Sequence, residues 1–221
     1  LHGCKITFNS SIVWNEFVSL KKISLQRNHH PMKNIILFGK PGAGKGTQAA
    51  FLKNQFNLVH ISTGDVFRYN IKNQTELGNL AKSYMDRGDL VPDEVTIQML
   101  ESEVEKAPDA AGFIFDGFPR TTAQAEALDA FLSSKDMSIS ATIALDVDED
   151  LLVARLLKRG LESGRTDDQD AQKIRNRFEE YNAKTAPLID YYKNQNKFYE
   201  LDGVGEISEI TARLTNIVAQ L

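Results

Sequence analysis

Gly39-Lys40-Pro41-Gly42-Ala43-Gly44-Lys45-Gly46-Thr47 is the stretch that decides the reading of this chain. It follows an apolar run, Asn34–Phe38, and leads into a helical stretch from about Lys45 to Gln55. Strand, glycine-rich turn and helix, in that order, are the setting in which such a loop cradles phosphate. Glycine at 39, 42, 44 and 46 lets backbone N–H groups converge on an anion without Cβ clashes. The helix adds its positive N-terminal end, and Lys45 can reach the outer phosphates as a point charge. The usual pattern has Ser or Thr directly after the lysine. Here Gly46 intervenes before Thr47, which leaves the metal-ligand hydroxyl unassigned. The competing reading, a glycine-rich turn with an exposed lysine, fits the strand–loop–helix setting poorly.

Working outward, short apolar runs alternate with helical stretches. Further strands are expected at Leu58–Ile61, Gly112–Phe115, Ile139–Leu145 and Lys197–Leu201. Helices are expected at Thr63–Lys72, Thr75–Asp86, Asp93–Lys106, Thr122–Ser133, Asp148–Lys158, Gln172–Lys184, Pro187–Lys193 and Ile207–Gln220. Residues 160–168 read as a polar loop. Alternating strands and helices imply βαβ units and a parallel sheet covered on both faces. The long helical stretch between the second and third strands is unusual for a crossover and suggests a small appended subdomain.

Composition agrees with one globular domain. The chain has 221 residues, 42% hydrophobic and 25% charged, with a net charge of −4. A nucleic-acid coat would need a basic excess, so no nucleic-acid partner is expected. One cysteine, Cys4, excludes an intramolecular disulfide framework and a cysteine-clustered zinc site. No apolar run approaches membrane-span length, so no membrane partner is expected. Together these point to a soluble protein of a reducing compartment.

Residues 1–31 do not match the rest. They hold Lys5, Lys21, Lys22 and Arg27 against one acid, Glu16, and carry the only Trp, Trp14. Met32 then opens directly onto the first strand and is read as the natural start. The preceding segment reads as a non-native extension; a targeting sequence is the rival, weakened by the polar pair Asn15-Glu16 inside its best apolar stretch.

Arg68, Arg120, Arg159 and Arg165 fall at loops or helix ends near strand C-termini, with Arg177 on a helix just beyond. Open parallel sheets bind ligands at that edge. Each arginine alone is best read as a solvated surface charge. Beside a phosphate loop the set reads as the cluster that phosphate transfer between polyanionic nucleotides requires. Asp116 ends the run Gly112–Phe115 and is placed to hold the water shell of a phosphate-bound Mg²⁺; the alternative is a turn-starting Asp before Gly117. His60 is the only histidine after residue 31 and reads as structural.

These residues resemble the adenylate kinases, within the nucleoside monophosphate kinases. The resemblance runs along nearly all of 32–221. GKPGAGKGTQ (39–48) is similar to that family's phosphate loop, Gly46 before Thr47 included. HISTGDVFR (60–68), RGDLVPDE (87–94), DGFPRT (116–121), LLKRG (156–160) and SGRTDD (163–168) resemble its other motifs, in order. Lys40 departs from the pattern, standing where many members have an uncharged residue.

The resemblance implies a P-loop three-layer α/β/α fold with a five-stranded parallel sheet. It also implies a small helical monophosphate-binding subdomain, about 62–91, and a short lid, about 158–168, without zinc ligands. The implied reaction is MgATP + AMP ⇌ 2 ADP, with Mg²⁺ carried by ATP. Gly42, Ala43, Gly44, Lys45, Gly46, Thr47 and Arg159 would bind ATP, and Gly205 would offer a carbonyl to its base. Thr63, Arg68, Asp89, Leu90, Val91, Gly117, Phe118, Pro119, Arg120 and Gln124 would hold AMP. Arg165 and Arg177 would grip phosphates during transfer, and Lys45, Arg120, Arg159, Arg165 and Arg177 form the catalytic set. Gly64, Gly88, Gly160 and Gly164 sit where hinges are expected. The resemblance also implies a cytoplasmic monomer that serves nucleotide biosynthesis by balancing the adenine nucleotides. A UMP/CMP kinase and a non-catalytic nucleotide sensor are the alternatives; Thr63 and Gln124 favour AMP over pyrimidines.

Overall fold

The computed structural model describes residues 32–221. The reading of residues 1–31 as an extension lies outside the described residues. Five parallel strands form one sheet: β1 (Ile35–Phe38), β2 (Val59–Ser62), β3 (Phe113–Asp116), β4 (Ala141–Asp146) and β5 (Phe198–Asp202). Their order across the sheet is β2-β3-β1-β4-β5. All four side chains of β1 are buried, as a central strand covered on both faces requires. The chain builds β2 and β3 on one side of β1 and then crosses to β4 and β5. That reversal leaves a crevice beyond the C-terminal end of β1, which is where the phosphate loop begins.

The helices are α1 (Lys45–Phe56), α2 (Thr63–Lys72), α3 (Glu76–Met85), α4 (Asp93–Glu105), α5 (Thr122–Ser134), α6 (Glu149–Ser163), α7 (Ala171–Glu180), α8 (Leu188–Lys193) and α9 (Ile207–Ala219). One face of the sheet packs on Leu52, Leu152, Leu156, Ile174 and Leu214 from α1, α6, α7 and α9. The other packs on Leu100, Leu128, Leu188 and Tyr192 from α4, α5 and α8. Full burial of each such side chain contributes about 2 kcal/mol relative to exposure. A smaller cluster, Phe67, Ala81, Val91 and Met99, ties α2 and α3 to α4, giving the segment between β2 and β3 an apolar core of its own.

Most elements fall within two residues of their sequence expectation. The polar loop at 160–168 is a correction. α6 continues through Gly160 to Ser163 and ends at Gly164, which is left-handed at φ 69°. Thr166–Asp168 then form a 3₁₀ turn. Gly160 is required by close approach rather than by a break: a Cβ there would lie 2.7 Å from Asp168 O. The helix expected over Gln172–Lys184 also changes character at its end. After Glu180 it widens into a π turn, Tyr181–Thr185, in which Ala186 N–H donates to Tyr181 O at 2.8 Å.

Candidate active site

α1 starts differently from its neighbours. Ser62, Thr75, Thr121, Asp148 and Asp170 each cap their helix by accepting from a first-turn N–H. α1 has Gly44 at that position, left-handed at φ 94°, with no side-chain cap and no first-turn acid. A Cβ on Gly44 would meet nothing within 4 Å. Its opening N–H groups therefore face an open space, the arrangement that receives an anion.

That space is a cleft of about 800 Å³ over the C-terminal edge of the sheet. Gly42, Gly44, Gly46 and Thr47 line one wall, from which the Lys45 side chain reaches the charges of the floor. Asp116, Gly117, Phe118, Pro119 and Arg120 line the floor, and Arg68, Arg159, Arg165 and Arg177 converge around it. Asp89 and Leu90 close the side nearest α3. Thr63, Val91 and Gln124 line a recess of about 40 Å³ that shares Gly117, Arg120, Asp89 and Leu90 with the cleft. Ala43 is buried behind the loop and lines neither space. Gly205 lies outside both; Ile207, two residues on and 53% exposed, lines the cleft.

Lys45 Nζ donates to Gly39 O at 2.6 Å and to Lys40 O at 3.2 Å. Burial, only partly countered by Asp116 and reinforced by Arg120, lowers its pKa to about 8. Arg120 donates from Nε to Gly117 O at 2.7 Å. Burial and then the Arg177 charge lower Arg120 to about 10. Both cations are thus desolvated and only partly offset by Asp116, which raises their attraction for an anion.

The surrounding arginines sit on carboxylates. Arg159 donates to Asp168 from Nε at 2.6 Å and from Nη2 at 3.1 Å, and Arg177 Nη1 reaches the same carboxylate at 2.7 Å. Arg177 also pairs with Asp167 at 3.1 Å. Burial opposes the charge on Asp168, but the two arginines hold its carboxyl below the usual range. Arg68 and Arg165 share Asp65, at 2.5 and 3.4 Å. Gly88, left-handed at φ 84°, packs against α7, with its absent Cβ 3.3 Å from Arg177 Cγ.

Gln124 is 1% exposed, and its amide is engaged on both sides. Oε1 accepts from Arg120 N–H and Nε2 donates to Asp93 Oδ1, each at 2.7 Å. One N–H and one lone pair remain for a ligand in the recess. Thr63 Oγ1 donates to Gly117 O at 2.9 Å.

A family model described as adenylate kinase matches residues 37–197. The chain belongs to the adenylate kinase family. An adenylate kinase of Flavobacterium psychrophilum is 66% identical over 190 residues, covering 86% of this chain and 100% of the relative. One from Flavobacterium johnsoniae is 64% identical over the same lengths, and one from Bacteroides thetaiotaomicron 47%. The chain is accordingly an enzyme, built on the parallel P-loop fold of the adenylate kinases.

Within that family frame, several cleft residues escaped the sequence reading. Arg155 lines the cleft one turn before Arg159 on α6; their i, i+4 spacing was an available signal. Asp65 and Asp168 emerge as counterions, and Tyr181 and Thr185 line the cleft from the π turn. His60 also faces it, its Nε2 3.6 Å from Asp116 Oδ2 and without a hydrogen-bond partner.

The residues present suit a hydrated Mg²⁺ arriving with nucleotide. Burial opposes ionisation of Asp116, but His60 and Lys45 hold its carboxyl below the usual range. Its side chain is 13% exposed and lines the cleft beside Gly46, where a Cβ would lie 3.5 Å from Oδ2. Among the described residues, no group of three or more His, Cys, Asp or Glu could hold a metal ion directly. No helix among them is long and apolar enough to cross a membrane.

Proposed function

We propose that this cleft catalyses MgATP + AMP ⇌ 2 ADP, with ATP phosphates on the Gly42–Thr47 loop and AMP between α2 and the Gly117–Arg120 floor. The observation that carries the reading is the pairing of two desolvated cations, Lys45 and Arg120, at one floor between an uncapped helix N-terminus and a small recess. AMP's phosphate oxygen is already anionic, so attack needs no strong base. Catalysis rests on in-line positioning and charge neutralisation.

Lys45, with Gly42, Gly44, Gly46 and Thr47, holds the donor phosphates, while Ala43 lies behind the loop and lines neither space. Arg120 and Arg68 hold the acceptor phosphate. Arg159, Arg165 and Arg177 exchange Asp168, Asp167 and Asp65 for phosphate oxygens as the segments about 62–91 and 158–168 close, excluding water as a rival nucleophile. Thr63, Val91 and Gln124 meet the AMP base in the recess, Asp89 and Leu90 border it, and Phe118 and Pro119 shape the floor. The resemblance gives Gly205 the ATP base; Gly205 lies outside the cleft, and Ile207 lines it from that loop. Asp116 would hold the water shell of Mg²⁺, which would supply partial neutralisation of the phosphate charge.

The family membership supports ATP, AMP and ADP as the ligands and does not favour a pyrimidine kinase or a sensor. On the same resemblance we read the enzyme as a cytoplasmic monomer that balances the adenine nucleotides. ADP formation from MgATP with AMP, UMP, CMP or GMP offered separately tests the reading, beside an ATP-only control. Rapid ADP with AMP alone is expected. Preference for UMP or CMP would overturn the base assignment, and no transfer would overturn the reaction.

A further inference from the structure

Arg120 carries much of the proposed chemistry, yet it sits among like charges. Arg177 and Arg68 both act against its charge. Asp116 and Asp167 favour its charge without hydrogen-bonding to it, and it is held in place through its backbone and by neutral dipoles. Three hydrogen bonds do this. Nε donates to Gly117 O at 2.7 Å, N–H donates to Gln124 Oε1 at 2.7 Å, and the carbonyl accepts from Thr185 Oγ1 at 3.0 Å. The first two partners belong to Arg120's own loop and to the helix that follows it. Thr185 comes from another part of the fold, 65 residues on.

Thr185 is buried, with 5% of its surface exposed, and sits at the end of the π turn Tyr181–Thr185. An α-helix advances about 100° per residue, so the residue added by the wider turn re-aims every side chain that follows it. The turn begins directly after α7, which carries Arg177 on Asp168. It also carries Tyr181, which lines the cleft together with Gly39 at the start of the phosphate loop. The same turn thus lines the cleft through Tyr181 and bonds to the acceptor-side floor through Thr185.

We propose that Thr185 is a positioning residue for phosphate transfer: from the widened turn it fixes the Arg120 carbonyl, and with it the guanidinium that receives the acceptor phosphate. This rests on the reading of the floor as the AMP phosphate site. Thr185 lines the cleft, but its hydroxyl is directed to the Arg120 carbonyl, and it acts through Arg120.

The test compares Thr185→Val, which keeps the shape and loses the hydroxyl, with Thr185→Ser, which keeps the hydroxyl. Steady-state kinetics would be run with ATP and AMP varied in turn, with AMP and ATP affinities measured by calorimetry. For Thr185→Val, kcat should fall and KM for AMP should rise, each about three- to tenfold. KM for ATP should stay within about twofold. Thr185→Ser should restore wild-type kinetics. If valine disturbs folding, Thr185→Ala against Thr185→Ser gives the same comparison. A valine or alanine variant that melts earlier but keeps wild-type kcat and KM values would overturn the proposal. So would equal weakening of ATP and AMP, or a serine variant as impaired as valine. Wild-type enzyme that binds AMP but forms no ADP would instead overturn the reaction, and calorimetry would still read the Thr185 effect on AMP.

Discussion

Lys45 and Arg120, on the floor of the cleft, rest on backbone carbonyls, whereas Arg159, Arg165, Arg177 and Arg68, around it, rest on carboxylates. A carbonyl dipole orients a cation without cancelling its charge. A carboxylate cancels it and must be displaced before phosphate can bind. The floor is therefore ready for anions whenever Lys45 is charged, and the surrounding arginines become available through exchange. This difference suits an enzyme that must not transfer phosphate to water: the floor can collect substrates, and the charge cluster is completed only when they are present.

The comparison breaks most visibly at Lys45. Lys45→Met should lower kcat/KM about a thousandfold, as the loss of a central charge does. Its melting temperature should not fall, because the cation is desolvated rather than paired. A coupled ADP assay with thermal denaturation checks both. Arg120→Ala should follow at about a hundredfold, with the larger effect on AMP. Near-normal turnover in either variant would remove that residue from the catalytic set.

Asp168→Asn probes the surroundings. Asp168 is fully buried and serves two arginines, one of them, Arg159, 38% exposed. The loss should cost about 2–3 kcal/mol of stability, discounted from a fully buried pair for that exposure. The carboxyl of Asp168 is held below its unfolded value. Its contribution is therefore present above the unfolded pKa and disappears as pH falls through the folded one. Acid unfolding monitored by circular dichroism should be less steep in the variant.

A smaller effect sharpens the floor. Lys45 is a cation below about pH 8 and neutral above it in the free enzyme. Bound phosphate favours the charged form, so ATP binding should take up a proton above that pH. The dissociation constant should then rise by up to about tenfold per pH unit, until the pKa in the complex is reached. Calorimetry in buffers of different ionisation heat measures this, and Lys45→Met should abolish it. The smallest effect is expected at Lys40, whose departure from the family pattern is balanced by a 2.6 Å pair with Glu149. Both groups are solvent-accessible, so Lys40→Ala should change stability by less than about 1 kcal/mol and turnover by less than about twofold.

What was legible in the sequence was local. β1, the glycine loop and α1 are contiguous, so their spacing carried the phosphate cradle without tertiary information. The continuation of α6 through Gly160 was not legible. Glycine disfavours helix on its own, and the reason for it, the approach of Asp168 O, comes from the turn that follows the helix. The partners Asp65 and Asp168 were likewise hidden. Sequence marks an arginine, but the fold chooses the carboxylate it rests on. Thr185 carried no signal, because a widened turn is fixed by what its side chains meet across the cleft.

The most direct test is a crystal structure of the enzyme with AMP and a non-hydrolysable ATP analogue. The account predicts Lys45 and Arg120 still on the carbonyls of Gly39 and Gly117, now also touching phosphate. It predicts Arg159, Arg165 and Arg177 moved from Asp168, Asp167 and Asp65 onto phosphate oxygens. Arginines still paired with those carboxylates in the doubly occupied enzyme, or a floor rebuilt to reach substrate, would contradict it.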